Sequence, residues 1–147
     1  MGTTLVALAM TTDTGAVAAH AGDSRLYRLR RGRLEQLTND HTVVAEALRA
    51  GEIDQTQAED HPHRSVLTRA VGVGPDFDVD YGGVNCAGGD RFLLASDGLF
   101  KALSHGDIRD VLAVPAEPQE TADRLIAEAA QRKAAGDLTV LVVDVRS

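Results

Sequence analysis

At 147 residues, with 44% hydrophobic and 25% charged residues, the chain has the size and balance of one globular domain. A net charge of −7 with no long basic tract argues against a nucleic-acid binder, and no apolar run reaches the length of a membrane span. The single cysteine, Cys86, excludes an intrachain disulfide; with no signal-peptide pattern at the N-terminus, the expected setting is cytoplasmic.

Aromatic residues make up only 3% and Trp is absent, so the core has to be built from Leu, Val, Ile and Ala. Thr4 to Met10 reads as a strand, Asp13-Thr14-Gly15 as a tight turn and Ala16 to His20 as the returning strand. Ala21-Gly22-Asp23-Ser24-Arg25 breaks the pattern. Leu26 to Leu29 and Leu34 to Leu37 are strand-like again, around an Arg31-Gly32-Arg33 turn. The spacing predicts a four-strand antiparallel meander over residues 1–38. Arg28, Arg30, Arg31 and Arg33 read as its solvated hairpin tip.

Thr42 is a candidate N-cap for a helix with Val43, Val44, Ala47 and Leu48 on one face, ended by Gly51. Asp54 and Gln57 have the spacing of a capping box, and His61-Pro62 stops that second helix. Residues 39–64 are polar and poor in core formers, as a flap over one end of a sheet would be. Ser65 to Val71 is expected to return to packed structure. Asp76, Asp78 and Asp80, at alternate positions, are expected to form a solvated strand face rather than a cation site.

Gly88-Gly89-Asp90 reads as a turn into a buried strand at Phe92 to Ala95, which ends at Asp97-Gly98. A carboxylate held at a strand end suits a hard divalent cation, and Gly98 lets the chain turn there without a Cβ clash. The same Asp97 also reads as the N-cap of a following helix. Ser104 and Asp107 form a further capping box, with Ile108, Val111 and Leu112 inward. Pro118 can open the next helix, which has an apolar face of Ala122, Leu125, Ile126, Ala129 and Ala130 and ends at Gly136. Leu138 to Val145 is the last strand. His20 is expected to pack or to face solvent on its strand, His41 and His63 to be structural, His105 exposed, and Cys86 a half-buried inert thiol. Ser24 and Ser96 adjoin acids but have no base motif nearby, so neither reads as a nucleophile.

Taken together, Gly2-Thr3-Thr4, Ala21-Gly22-Asp23-Ser24-Arg25, Leu37-Thr38-Asn39-Asp40-His41, His61-Pro62-His63-Arg64-Ser65, Leu67-Thr68-Arg69-Ala70-Val71-Gly72, Leu94-Ala95-Ser96-Asp97-Gly98-Leu99 and Asp137-Leu138-Thr139-Val140 resemble the metal-dependent, type 2C serine/threonine protein phosphatases in their bacterial form. The resemblance covers nearly the whole chain in the right order. It implies an α+β fold, a four-layer α-β-β-α sandwich of two antiparallel sheets flanked by helices. It implies residues 1–147 as a single partial domain, incomplete at its N-terminus, with the flap at about 39–64.

It also implies two Mn²⁺ or Mg²⁺ ions that activate a water against phosphoserine or phosphothreonine. Carried over by position, Asp97 and Asp137 are the metal ligands, and Asp23 and Gly98 support them. The family's Asn-Glu-Asp and Asp-Gly-x-Gly-Gly motifs have no counterpart here, nor do its phosphate-holding arginine and its general acid. No catalytic residue is therefore assigned. Aligned without a gap on Thr139, Gly136 takes the last ligand place; a one-residue deletion gives that place to Asp137. The partners implied are a phosphoprotein substrate and a cognate Ser/Thr kinase or its targets, with no nucleic acid and no membrane. Weak metal binding and poor turnover are expected of such a set. A non-catalytic relative acting as a regulatory or binding module stands as the alternative.

Overall fold

The computed structural model describes residues 1–12, 15–75 and 78–147. The expected turn at Asp13-Thr14 and the acid Asp76 lie outside the described residues. The elements are β1 (Leu5–Thr11), β2 (Gly15–Ala21), β3 (Arg25–Arg30), β4 (Arg33–Gln36), α1 (Val43–Arg49), α2 (Gln55–Glu59), β5 (Asp80–Val84), β6 (Arg91–Ala95), α3 (Asp97–Ala102), α4 (His105–Ala113), α5 (Pro118–Gln131) and β7 (Val140–Asp144).

The strands form two antiparallel sheets, ordered β1-β2-β5 and β4-β3-β6-β7. The expected meander is thus two hairpins in two different sheets. The chain crosses between them at residues 21–25, where Gly22 has φ +110° and a Cβ would lie 2.5 Å from Thr4 Cγ2. Alternation marks which face of a strand is buried. It does not say which strand lies beside it, and here β2 pairs with β5 while β3 pairs with β6.

The four-stranded sheet is apolar on both faces. Tyr27, Leu29, Leu93, Ala95 and Val142 meet Leu99, Leu103, Ile108, Leu112, Leu125 and Ala129 of α3, α4 and α5. On the opposite face Leu26, Phe92 and Leu94 meet Val6, Leu8, Ala18 and Val84 of the smaller sheet. The layers are helices, large sheet and small sheet: the two packed antiparallel sheets and one flanking helix layer of the four-layer sandwich the resemblance implies. The outer face of the small sheet, with Leu5, Val17 and Tyr81, carries no helix among the described residues.

The caps follow their residue types. Thr42 accepts from the Ala45 amide, and Asp54/Gln57 and Ser104/Asp107 form complete capping boxes. Pro118 opens α5, whose buried stripe is Ala122, Leu125 and Ala129. Residues 65–71 are not packed: Val66 and Leu67 are exposed, and the segment is tied down by isolated bridges, Thr3 to Val71 and Thr42 to Leu67. Helix α5 stops at Gln131, before Gly136, where its last carbonyls are met by the Arg132 amide. No described helix is long and apolar enough to cross a membrane.

Candidate metal centre at the end of the central strand

Strand β6 delivers Ser96 and Asp97 to one end of the sandwich. Ser96 is the N-cap of α3 but makes no side-chain cap bond; its Oγ accepts the Thr139 amide at 2.9 Å instead. Asp97 is the first residue of α3 and not its cap. Its carboxylate, at 39% exposure, pairs with Lys101 one turn on, Oδ2 to Nζ 2.6 Å.

Gly98 sits in the first turn of α3 with no positive φ, so its value is space rather than an unusual turn. A Cβ there would stand 2.5 Å from the Asp137 carbonyl oxygen. The 136–139 segment therefore lies directly on the start of α3. Asp137 itself is exposed and precedes β7, outside any strand, so strand alternation does not set its direction.

Asp23 is nearly buried, at 9% exposure, in the crossing between β2 and β3. Its carboxyl is held above the ordinary carboxylate value, first by burial, then by the charges of Asp97 and Asp40, with Lys101 opposing. Asp23, Asp97 and Asp40 thus lie within each other's electrostatic reach at one end of the sheets, hard oxygen donors of the kind a divalent cation takes, with Asp97 paired to Lys101 and Asp40 to Arg25.

Arg25, on β3, braces this end. It forms a two-pronged pair with Asp40 (2.9 and 2.6 Å), donates to the Tyr27 hydroxyl at 3.0 Å and lies 3.6 Å over the Phe100 ring of α3. Burial opposes its charge, and the Asp40 and Tyr27 contacts more than offset it, holding the guanidinium above its ordinary value. Sequence reading did not single out Asp40 and Lys101. The Asp97-to-Lys101 spacing of four was the available signal for the second.

One trio of metal-ligating side chains among the described residues brings its ligand atoms within 4.8 Å of one another: His20, His41 and Asp80. It is a hydrogen-bonded set. His41 Nδ1 accepts the Gly22 amide at 3.0 Å, which leaves the ring proton on Nε2, facing Asp80 at 2.8 Å. A metal at Nε2 would force that proton onto Nδ1, against the Gly22 N–H. Arg69 also occupies Asp80, at 2.8 Å. Asp80 is accordingly a partnered residue and not part of a merely solvated face. His20 and His41 are buried, and their rings stack at 4.4 Å. His63 is exposed, and its amide donates to His61 Nδ1. His105 is exposed, with Nε2 on the Leu34 carbonyl, and Cys86 is half-buried. Ser24 is hydrogen-bonded to Thr4 and Ser96 to Thr139.

The sequence model of the family described as Stage II sporulation protein E (SpoIIE) matches residues 38–146. The serine/threonine phosphatase stp of Listeria monocytogenes is 40% identical over 144 residues, 98% of this chain and 57% of its own length. The PPM Ser-Thr phosphatase MsPP of Mycobacterium smegmatis, solved with cacodylate, superposes with TM-score 0.89 at 43% identity over 98% of this chain and 62% of its own. The catalytic domain of PstP, solved with two manganese ions, gives TM-score 0.82 at 35% identity over 100% of this chain and 60% of its own. The chain thus spans about three-fifths of the length of the relatives it matches. With the match running across most of its residues and through both sheets, the chain belongs to the SpoIIE/type 2C family of metal-dependent protein phosphatases.

Proposed function

We propose that the chain is the Asp97-bearing portion of a protein serine/threonine phosphatase that hydrolyses phosphoserine and phosphothreonine with Mn²⁺ or Mg²⁺. The observation that carries this reading is the junction of β6 and α3, where Asp97 is fixed beside the Asp137 segment and the buried Asp23 carboxyl.

Asp97 and Asp137 are the residues that would hold the ion, with Asp23 adding negative field behind them and Gly98 giving the Asp137 backbone room. When bound, such an ion supplies a water of lowered pKa able to attack phosphorus. Lys101 pairs with the Asp97 carboxylate and would have to yield it to a bound ion. Arg25 and Asp40 hold the flap root against the helix that carries Asp97. A phosphoprotein is the substrate and a Ser/Thr kinase acting on the same targets the natural counterpart.

The second reading, a non-catalytic relative that binds rather than hydrolyses, draws on the Lys101 pair and on the lack of a converging acid trio at Asp97 among the described residues. Hydrolysis of p-nitrophenyl phosphate with and without Mn²⁺ separates the two. The phosphatase reading expects slow, Mn²⁺-dependent turnover that Asp97→Asn abolishes. A folded, Mn²⁺-binding chain without turnover supports the binding module, and turnover that survives Asp97→Asn contradicts the assigned site.

A further inference from the structure

The excursion between β4 and β5 leaves and re-enters the fold at one residue, His41. On the outgoing leg its amide donates to the Gly22 carbonyl at 3.0 Å. On the returning leg its own carbonyl accepts the Thr68 amide at 2.9 Å, next to the hydrogen bond from the Val43 amide to the Val66 carbonyl and the Thr42–Leu67 bridge. The imidazole, 1% exposed, spans the remaining gap: Nδ1 takes the Gly22 N–H and Nε2 donates to Asp80 on β5. The groups facing the ring are His20 from β2, stacked 14° from parallel, Asp80 from β5, and Arg69 from the returning leg, which itself pairs with Asp80.

We infer that His41 is a positioning residue: as a neutral Nε2–H imidazole it couples the root of the flap and β5 to the Gly22–Asp23 crossing beside Asp97. The two bonds call for opposite ring atoms, an acceptor at Nδ1 and a donor at Nε2, so neither the other neutral tautomer nor the cation satisfies both. The crossing has little slack of its own, since Gly22 is wedged against Thr4 and has no room for a side chain. A shift of the His41 ring is therefore passed to Asp23. The relevance to metal binding rests on the phosphatase reading; the coupling itself does not.

The two bonds can be cut separately. Asn places an acceptor where Nδ1 stands and reaches no further; Gln places a donor near Nε2. In His41→Asn the Gly22 amide is expected to keep its hydrogen-exchange protection, while the Asp80 carboxyl, followed by side-chain NMR, titrates closer to its ordinary value. In His41→Gln the Gly22 amide exchanges about tenfold faster, Asp80 keeps its low value and Mn²⁺ binding weakens several-fold. A packing role alone would move both readouts together in both variants, and that result overturns the inference. In the wild type, imidazole ¹⁵N shifts at neutral pH report the tautomer whether or not a variant folds. Nε2–H is expected; Nδ1–H or a doubly protonated ring overturns the inference. Wild-type protein that binds no Mn²⁺ would count against the phosphatase reading, and the tautomer and the two readouts would still decide the role of His41.

Discussion

The Cβ that Gly98 lacks would stand 2.5 Å from the carbonyl oxygen of Asp137. That gap lets the segment around Asp137 rest on the start of α3, so that the Asp137 backbone lies against the residue following Asp97. Helix propensity alone would favour Ala at position 98 by up to about 1 kcal/mol. The obstructing atom is backbone, which gives way poorly, and overpacking of this kind costs about 1–3 kcal/mol. Gly98→Ala is therefore expected to lower the denaturant midpoint and to weaken Mn²⁺ binding. A midpoint equal to or above wild type would show that the segment shifts freely.

Lys101 competes with any cation for Asp97. Pairs at this spacing are worth only about 0.3–0.5 kcal/mol on a helix surface, and this one is substantially exposed. Lys101→Gln is expected to tighten Mn²⁺ binding about two- to threefold in calorimetry, with little change in stability. Weaker binding in the variant would mean that Lys101 supports the site.

The carboxyls divide by sign. Asp90, Asp144 and Asp80 are held below the ordinary carboxylate value, first of all by hydrogen bonds from Arg30, Arg91 and His41 respectively. The stability they contribute is fully present above the ordinary value, about 4, and is lost as pH falls through their lower folded values. Asp23 runs the other way. Raised in the fold, it disfavours the folded state once ionised and does so fully at neutral pH. Asp23→Asn is expected to stabilise the metal-free protein at neutral pH, with the gain vanishing in acid. Asp90→Asn should flatten the acid limb of the stability curve. Urea melts between acid and neutral pH check both; a destabilised Asp23→Asn variant at neutral pH would contradict the assigned strain.

The small sheet presents Leu5, Val17 and Tyr81 outward, exposed by 48%, 47% and 82%. An apolar sheet face of this kind favours association. The chain alone is expected to self-associate in analytical ultracentrifugation, and Val17→Lys with Tyr81→Lys to shift it towards monomer with unchanged circular dichroism. Wild-type protein that stays monomeric at high concentration would contradict this.

Much of this architecture was legible because local chemistry is local. Thr42, Asp54 with Gln57, Ser104 with Asp107, and Pro118 each announce a helix start through a hydrogen bond, or a fixed φ, within three residues. The position of Asp97 at the end of a buried strand was legible for the same reason. The crossing at Gly22 was not, since the break that ends one hairpin looks the same whether the next strand joins the same sheet or the opposite one. Nor was the His41–Asp80 pair, whose partners stand 39 residues apart and meet only once the flap has folded back. Asp137 stayed ambiguous because the alternation meant to orient it begins only at Val140.

The central claim is that Asp97 anchors a divalent ion. Calorimetric titration of Mn²⁺ into the wild-type chain and Asp97→Asn at neutral pH, with circular dichroism to show that both are folded, tests it directly. The wild type should bind, and Asp97→Asn should bind at least about tenfold more weakly, the loss expected when a charged ligand is removed. Equal binding by the two, or a folded wild type that takes up no Mn²⁺, would contradict it.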